Sequence, residues 1–413
     1  MPRKPMDGGR IGVMASQLSL AAVMETIPMH ATRRVLRETG RESQRERLLP
    51  AHLVVYLVIL LALYAEVSVR ENLRILLEAL RARFSLPADK PAVDSAVTKA
   101  RRRLGPEPFR RLFAEIARPL ATPQTPGCFW RGMRLVAADG TWLDVQHTSA
   151  NVERFGIHAN QHGAAGYPAL HAAVLLECGT RAPLGAAAGG EHDSEGALFD
   201  TLSERLSEEM LLLADRHYYS FARWRDCQKR CGALLWRIRA NLKPRVIERL
   251  EDGSALVELK PSGKLTGKRL ADKSERLKAR MLEYEVAFAD GSKGQPTRLL
   301  TTLLDPLKHP AEELAGMYAE RWSAETGFDE LKTHLKGSPR VLRSQLPELV
   351  EQEFFGFLLA YYVVRATMFQ AALKNGDPPG ELSFVHAVRV IRRKLAFPPS
   401  KQNSGAPEME GNS

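Results

Sequence analysis

The sequence predicts an α/β core interrupted by a β-rich insertion, preceded by an all-helical region and followed by further helices. Three patterns carry that expectation. Apolar runs alternate with a helical segment between residues 130 and 240. Short alternating runs separated by Asp-Gly pairs fill residues 241–305. Helical periodicities occupy both ends of the chain. With 44% hydrophobic and 26% charged residues over 413 positions, the composition is that of a folded globular chain of two or three domains, not of a fibrous or disordered one.

In chain order, Ser43–Ala65 reads as a helix, followed by Val69–Phe84, a turn at Leu86–Pro91, and a helix Val93–Leu104 stopped by Gly105-Pro106. These lie in an expected helical domain, residues 10–118, in which helix–turn–helix packing would fit. Arg101, Arg102 and Arg103 stand near the end of the last of these helices, where arginines suit the helix dipole as well as a phosphate backbone. Three prolines and a glycine between Pro119 and Phe129 mark a boundary. Strand-like runs follow at Met133–Ala138, Tyr167–Glu177, Met210–Ala214 and Leu234–Ala240, with a helix expected at Ser194–Ser207. In the insertion the runs are Arg245–Leu250, Ser254–Leu259, Glu283–Phe288 and Thr297–Leu304, with turns at Asp252-Gly253 and Asp290-Gly291. Pro310 opens a long helix to about Leu335, and another runs from Leu349 to Leu373.

The expected organisation is therefore a core of residues 130–240 and 306–345, an insertion at 241–305, a C-terminal helical region at 346–395, and a Pro-, Ser-, Gly- and Asn-rich tail at 396–413 that composition marks as disordered. The apolar stretch Leu53–Tyr64 is well short of the ~20 residues of a membrane span. The basic N-terminus leads into no apolar h-region, so no secretory signal is expected. Cys128, Cys178, Cys227 and Cys231 are scattered without a second Cys/His pair and read as reduced thiols of a cytosolic protein.

The net charge of +11 is unevenly spread: +9 over residues 1–111, −6 over 112–220, +8 over 221–305 and zero thereafter. Two basic blocks flanking an acidic one suggest two polyanion-contacting regions around a carboxylate-rich centre. Within that centre Asp139 closes the run Leu135–Ala138, and Asp215 closes Leu211–Ala214. Sites in α/β sheets gather outside the carboxyl ends of strands, although an Asp after a strand is also a common turn residue. Along the helix after Pro310, Tyr318, Arg321, Glu325 and Lys332 fall within an arc of about 60° at 100° per residue, with Trp322 beside them and with Glu320 and Glu330 pointing elsewhere. One face thus presents a single carboxylate framed by a phenol, a guanidinium and an ammonium. A solvent-facing ion-pair stripe is the plain alternative.

The spacing Tyr318-x2-Arg321-x3-Glu325-x6-Lys332 resembles the signature of the insertion-sequence-4 family of bacterial DDE transposases. Asp139-Gly140-Thr141 and Asp215-Arg216-x-Tyr218 look like that family's two aspartate motifs, and the helical block ending in Val97–Gly105 resembles the domain preceding its catalytic core. His217 stands where a small residue is common in the family. The resemblance implies a ribonuclease-H-like core with two Mg²⁺ ions, for which Mn²⁺ would substitute, with Asp139 bridging both ions and Asp215 and Glu325 each holding one. It further implies that Tyr318, Arg321 and Lys332 contact DNA phosphate near the scissile bond. Some relatives cut through a hairpin intermediate and flip a base onto a tryptophan, and Trp236 and Trp322 are the tryptophans nearest that role here. Trp236, within Leu234–Arg239, reads equally as a core strand residue.

The implied function is a transposase that binds the terminal inverted repeats of its element, cleaves there, and joins the 3′-hydroxyls to target DNA. Double-stranded DNA and a second copy of the chain, as a homodimer in the synaptic complex, are the expected partners, in the bacterial cytoplasm at the nucleoid. The alternatives are a catalytically inactive, transposase-derived repressor and a ribonuclease-H-like nuclease without strand transfer. Other clusters read as structural. In His192-Asp193-Ser194-Glu195 a helix cap is the better account. Gly185–Gly190 lacks the Lys and Ser/Thr of a phosphate loop.

Overall fold

The computed structural model describes residues 20–45, 49–84, 94–157, 159–160, 163–164, 166–261, 274–285, 296–337 and 341–393. The expected turns at Leu86–Pro91 and Asp290-Gly291 and the tail at 396–413 lie outside the described residues. Among the described residues a helical run at 20–26 is followed by α1 Met29–Glu38, α2 Ala51–Leu63, α3 Val69–Phe84, α4 Asp94–Leu104 and α5 Glu107–Ile116. The helix expected from Ser43 begins only at Ala51, because Pro50 takes the N-cap position, where its missing N–H costs nothing.

The sheet follows. β1 (Phe129–Trp130) pairs with β2 (Met133–Asp144). After α6 (Ser149–Phe155) and a two-residue ribbon, β3 (Ala159–Asn160) with β4 (Gly163–Ala164), come β5 (Ala169–Glu177), β6 (Pro183–Gly189), α7 (Glu195–Asp200), β7 (Met210–Ala214), α8 (Phe221–Gln228) and β8 (Ala233–Arg237). Their spatial order is β6-β5-β2-β7-β8. β2 runs antiparallel to β5 and parallel to β7, and β7 parallel to β8. This is the ribonuclease-H-like arrangement that the resemblance implies.

The insertion is no detached module. β9 (Arg245–Arg249), β10 (Ala255–Leu259), β11 (Leu277–Tyr284) and β12 (Thr297–Thr301) continue the same sheet in the order β8-β12-β11-β10-β9, every pair antiparallel. Asp252-Gly253 forms the β9–β10 turn, with Gly253 at φ +80°. The third strand of the insertion lies at Leu277–Tyr284, upstream of the expected Glu283–Phe288. β6 was not expected at all: Pro183–Gly189 is Gly- and Ala-rich and shows no strand propensity.

Side-chain alternation assigns each sheet face a core. Leu135, Ala137, Leu211 and Leu213 share one cluster with Tyr318, Ala324 and Phe328 of the helices after the insertion. Val136, Ala138, Leu212, Ala214 and Trp236 share the opposite one with Leu198, Phe199 and Trp224. The helix expected as one piece changes pitch three times: α9 (Ala311–Tyr318), a 3₁₀ turn (Ala319–Arg321), α10 (Trp322–Asp329) and a π segment (Glu330–Leu335). α11 (Pro347–Asn375) and α12 (Phe384–Arg393) complete the chain. α11 is long and apolar enough to cross a membrane, yet it forms a buried spine against α2, α5 and α12. The helices at the two ends of the chain share a single core.

Candidate active site

Asp139 does not end its strand. β2 continues five residues further, to Asp144, still paired to β5. The neighbour on its other side stops instead: the β2–β7 ladder ends at Ala138 opposite Ala214, and the next residue of each strand is an aspartate. Strands lie about 4.8 Å apart, so the early end of β7 sets Asp139 and Asp215 side by side. Asp139 continues the odd-numbered series of β2 and therefore faces α10.

Each aspartate is pinned by its own backbone. Asp139 Oδ1 accepts from Gly140 N at 2.9 Å, and Asp215 Oδ1 accepts from His217 N at 2.7 Å. His217 thus serves Asp215 through its main chain, while its side chain is exposed. Burial pushes the Asp139 carboxyl up to about 6, against the opposing pull of the Gly140 N–H and Arg321 and with smaller pushes from Glu195 and Asp215. Desolvation rather than mutual carboxylate repulsion leads this elevation.

The helix side supplies Arg321 and Glu325. Arg321 Nη2 donates to Glu325 Oε1 at 2.5 Å, and its Nη1 lies 3.6 Å from Asp139 Oδ2. The guanidinium thus stands between the two carboxylates, only 11% exposed, and its carbon sits 5.5 Å from the centre of the Trp322 ring. Trp322 itself is 61% exposed. Lys332 is half-buried on the π segment. Burial lowers its ammonium pKa, and Asp144, Asp139 and Asp329 are the carboxylates that counter this. Among the described residues no three His, Cys, Asp or Glu side chains converge on one point. The chemistry of the donor set nevertheless fits hard divalent cations: carboxylate oxygens only, with Arg321 as the charge that balances them in their place.

Three expected DNA contacts take other roles. The Tyr318 hydroxyl donates to Ala214 O at 3.3 Å and the ring is 8% exposed, so this phenol ties the end of α9 to the end of β7 one residue before Asp215. Trp236 is fully buried in β8, edge-on to Trp224 at 5.3 Å, and offers no surface to a base. Arg101 turns inward, donating to Gln352 Oε1 at 2.7 Å and Ser344 Oγ at 3.1 Å, and so joins α4 to α11. Arg103 reaches Leu49 O at 3.4 Å. Arg102 is exposed, 3.8 Å from Glu348.

The Ser194 hydroxyl caps α7 by accepting from Ala197 N at 3.2 Å, as expected for the His192–Glu195 cluster. Glu195, however, does more than begin a helix. Gly140 continues the even-numbered face of β2, and a Cβ there would overlap the Glu195 carboxyl, which also approaches the buried Tyr218 hydroxyl. This carboxylate joins the two aspartate motifs, and no spacing along the sequence signals it.

The family model described as "Insertion element 4 transposase N-terminal" matches residues 17–114, and that described as "Transposase DDE domain" matches residues 130–363. The transposase InsG of insertion sequence element IS4 from Escherichia coli K12 is 32% identical over 366 residues, covering 88% of this chain and 80% of that protein. A putative transposase of the same bacterium, InsZ, is 26% identical over 202 residues, 48% of this chain and 63% of that one. The piggyBac transposase synaptic complex with hairpin DNA is a distant structural likeness, at a TM-score of 0.45 and 10% identity over 96% of this chain and 87% of that one. With the DDE model over more than half its length and a 32%-identical relative over most of it, the chain belongs to the insertion-sequence-4 family of DDE transposases.

Proposed function

We propose that this chain cleaves DNA at the ends of its own insertion element in a divalent-metal-dependent reaction and joins the freed 3′-hydroxyls to target DNA. The observation that carries the reading is the pairing of Asp139 and Asp215 at the early end of β7, with Arg321 and Glu325 brought to the same place by the helix. Asp139, Asp215 and Glu325 would hold the metal, Mg²⁺ with Mn²⁺ as substitute. Two bound ions supply activation of a water or 3′-hydroxyl and stabilisation of the leaving oxygen in an in-line displacement at phosphorus.

The remaining side chains bind and orient. Arg321 can fork across a phosphate, and Lys332 offers a point charge. Trp322 presents an exposed ring to an unstacked base, with Arg321 beside it. Arg102 and the exposed basic side chains of the insertion contact the flanking duplex. Residues 10–118 and 241–305 thus grip the element end, two copies of the chain hold the two ends together, and the protein works in the cytoplasm.

The test is strand cleavage of an element-end duplex by the purified protein in Mg²⁺, followed by strand transfer from pre-cut ends. Wild-type protein should do both and Glu325→Gln neither. Cleavage that survives Glu325→Gln would remove Glu325 from the site.

A further inference from the structure

Behind the helix that carries Glu325, a buried carboxylate is held from three directions. Glu330 opens the π segment and is 5% exposed. Its Oε1 accepts from Arg181 Nη1 at 2.8 Å, and its Oε2 accepts from Tyr361 Oη at 2.8 Å and from Arg365. Arg365 is 1% exposed, and its Nε donates to the same Tyr361 hydroxyl at 3.2 Å. Arg181 comes from the β5–β6 turn at φ +56° and also donates to Gly380 O at 3.1 Å. One carboxylate therefore ties together the sheet, α11 and the loop before α12.

This clamp is poorly explained as a source of stability. Two guanidiniums against one carboxylate leave an excess charge indoors, and buried ion pairs commonly stabilise less than apolar residues of the same volume would. A left-handed φ at an arginine adds strain. What the clamp does is geometric. Glu330 lies five residues beyond Glu325, about 140° around the helix, so one meets the Arg321 guanidinium that reaches Asp139 while the other is held from behind. The π segment that starts at Glu330 carries Lys332 two residues on, and single π turns inside helices gather at functional sites. Gly327, between the two glutamates, brings the helix close to α11: a Cβ there would press on Tyr361 Oη at 3.2 Å.

We infer that Glu330, through Arg181, Tyr361 and Arg365, is a positioning residue that sets the rotation of the helix and so holds Glu325 and Lys332 towards Asp139. The inference rests on the metal-dependent reaction proposed above. Two variants test it. Glu330→Gln removes the charge, and Arg181→Gly removes one arm of the clamp at a φ that glycine adopts freely, so the second folds even if the first does not. Mn²⁺ binding to the metal-free protein is measured by isothermal titration calorimetry beside thermal melts, element-end binding and single-turnover cleavage. The expected result is Mn²⁺ affinity weakened roughly 10-fold or more and cleavage slowed to match, as for outer partners of metal ligands, with a melting temperature at which the protein is fully folded under the assay conditions. Wild-type Mn²⁺ affinity in the folded variants overturns the inference, as does an activity loss that only follows the melting temperature. Failure of the wild-type protein itself to bind Mn²⁺ or to cut would instead sink the metal reading, and this inference with it.

Discussion

The two halves of the site are built differently. Asp139 and Asp215 belong to the sheet, are fixed by ladder register and by backbone N–H groups, and project from cores on both faces. Arg321, Glu325 and Lys332 stand on three successive segments of different pitch, the 3₁₀ turn, α10 and the π segment, and Arg321 and Glu325 are held by a side-chain contact. The sheet half comes with the fold, whereas the helix half depends on adjustable packing. Carboxylates fixed by the sheet on one side and a carboxylate carried by the helix on the other would suit the proposed site, which has to admit a bulky duplex.

The comparison is sharpest where it should abolish chemistry. Asp139→Asn should cut strand cleavage at least ~10³-fold, about 4 kcal/mol of barrier, and should weaken metal binding in the isolated protein. Glu325→Gln should lose cleavage to a similar extent while keeping measurable metal affinity through the two aspartates. Equal metal affinities for the two variants would erase the distinction between the halves.

The tryptophans divide the same way. Trp236→Ala, in the sheet, should destabilise by roughly 3–5 kcal/mol in denaturant melts, as expected for a fully buried aromatic. Trp322→Ala, on the helix, should stay within about 0.5 kcal/mol of wild type and instead weaken binding to element ends that carry an unpaired base. A stable Trp236→Ala protein would contradict the packing described for β8.

Titration offers a smaller effect. On the proposed role of Asp139, metal binding would need its carboxylate, which burial pushes up to about 6. Apparent Mg²⁺ or Mn²⁺ affinity should therefore fall with decreasing pH below about 6 and level off above it. Folding stability moves the opposite way. A carboxyl raised in the folded state favours folding below its unfolded pKa, and that contribution is lost as pH rises through about 6, close to 3 kcal/mol for a shift of about two units. Urea melts of metal-free protein from pH 4 to 7 should show this loss in wild type, and Asp139→Asn should flatten it. Tyr318→Phe, which removes one hydrogen bond between the halves, should cost about 1 kcal/mol in the same melts.

Much of the sheet half was legible in the sequence. Met210–Ala214 is a continuous apolar run ended by a charge, and such a run reads as a buried strand with something at its tip. The helix signature was equally legible, because four chemically distinct residues shared one face. Asp139 closes the apolar run Leu135–Ala138 and so reads as a strand end, and only the register with β7 shows that the neighbour ends there instead. Glu195 was set aside as part of a cap because its partner, Gly140, has no side chain to signal the contact. The direction of Arg101 depends on α11, some 250 residues away, and a run of three arginines reads the same whether it faces solvent or a neighbouring helix. Pitch changes around α10 leave no periodic trace.

The continuity of the insertion with the core sheet carries one more consequence. β12 covers the outer side of β8 with antiparallel hydrogen bonds, from Leu235 to Arg237. A shortened chain with residues 245–301 excised would leave that row of donors and acceptors open beside fully buried Leu234, Leu235 and Trp236. An uncovered, apolar strand of this kind recruits other chains edge to edge. Such a truncation should therefore aggregate rather than yield a smaller soluble nuclease, and the strands expected to grip DNA also serve as the sheet's guard against self-association.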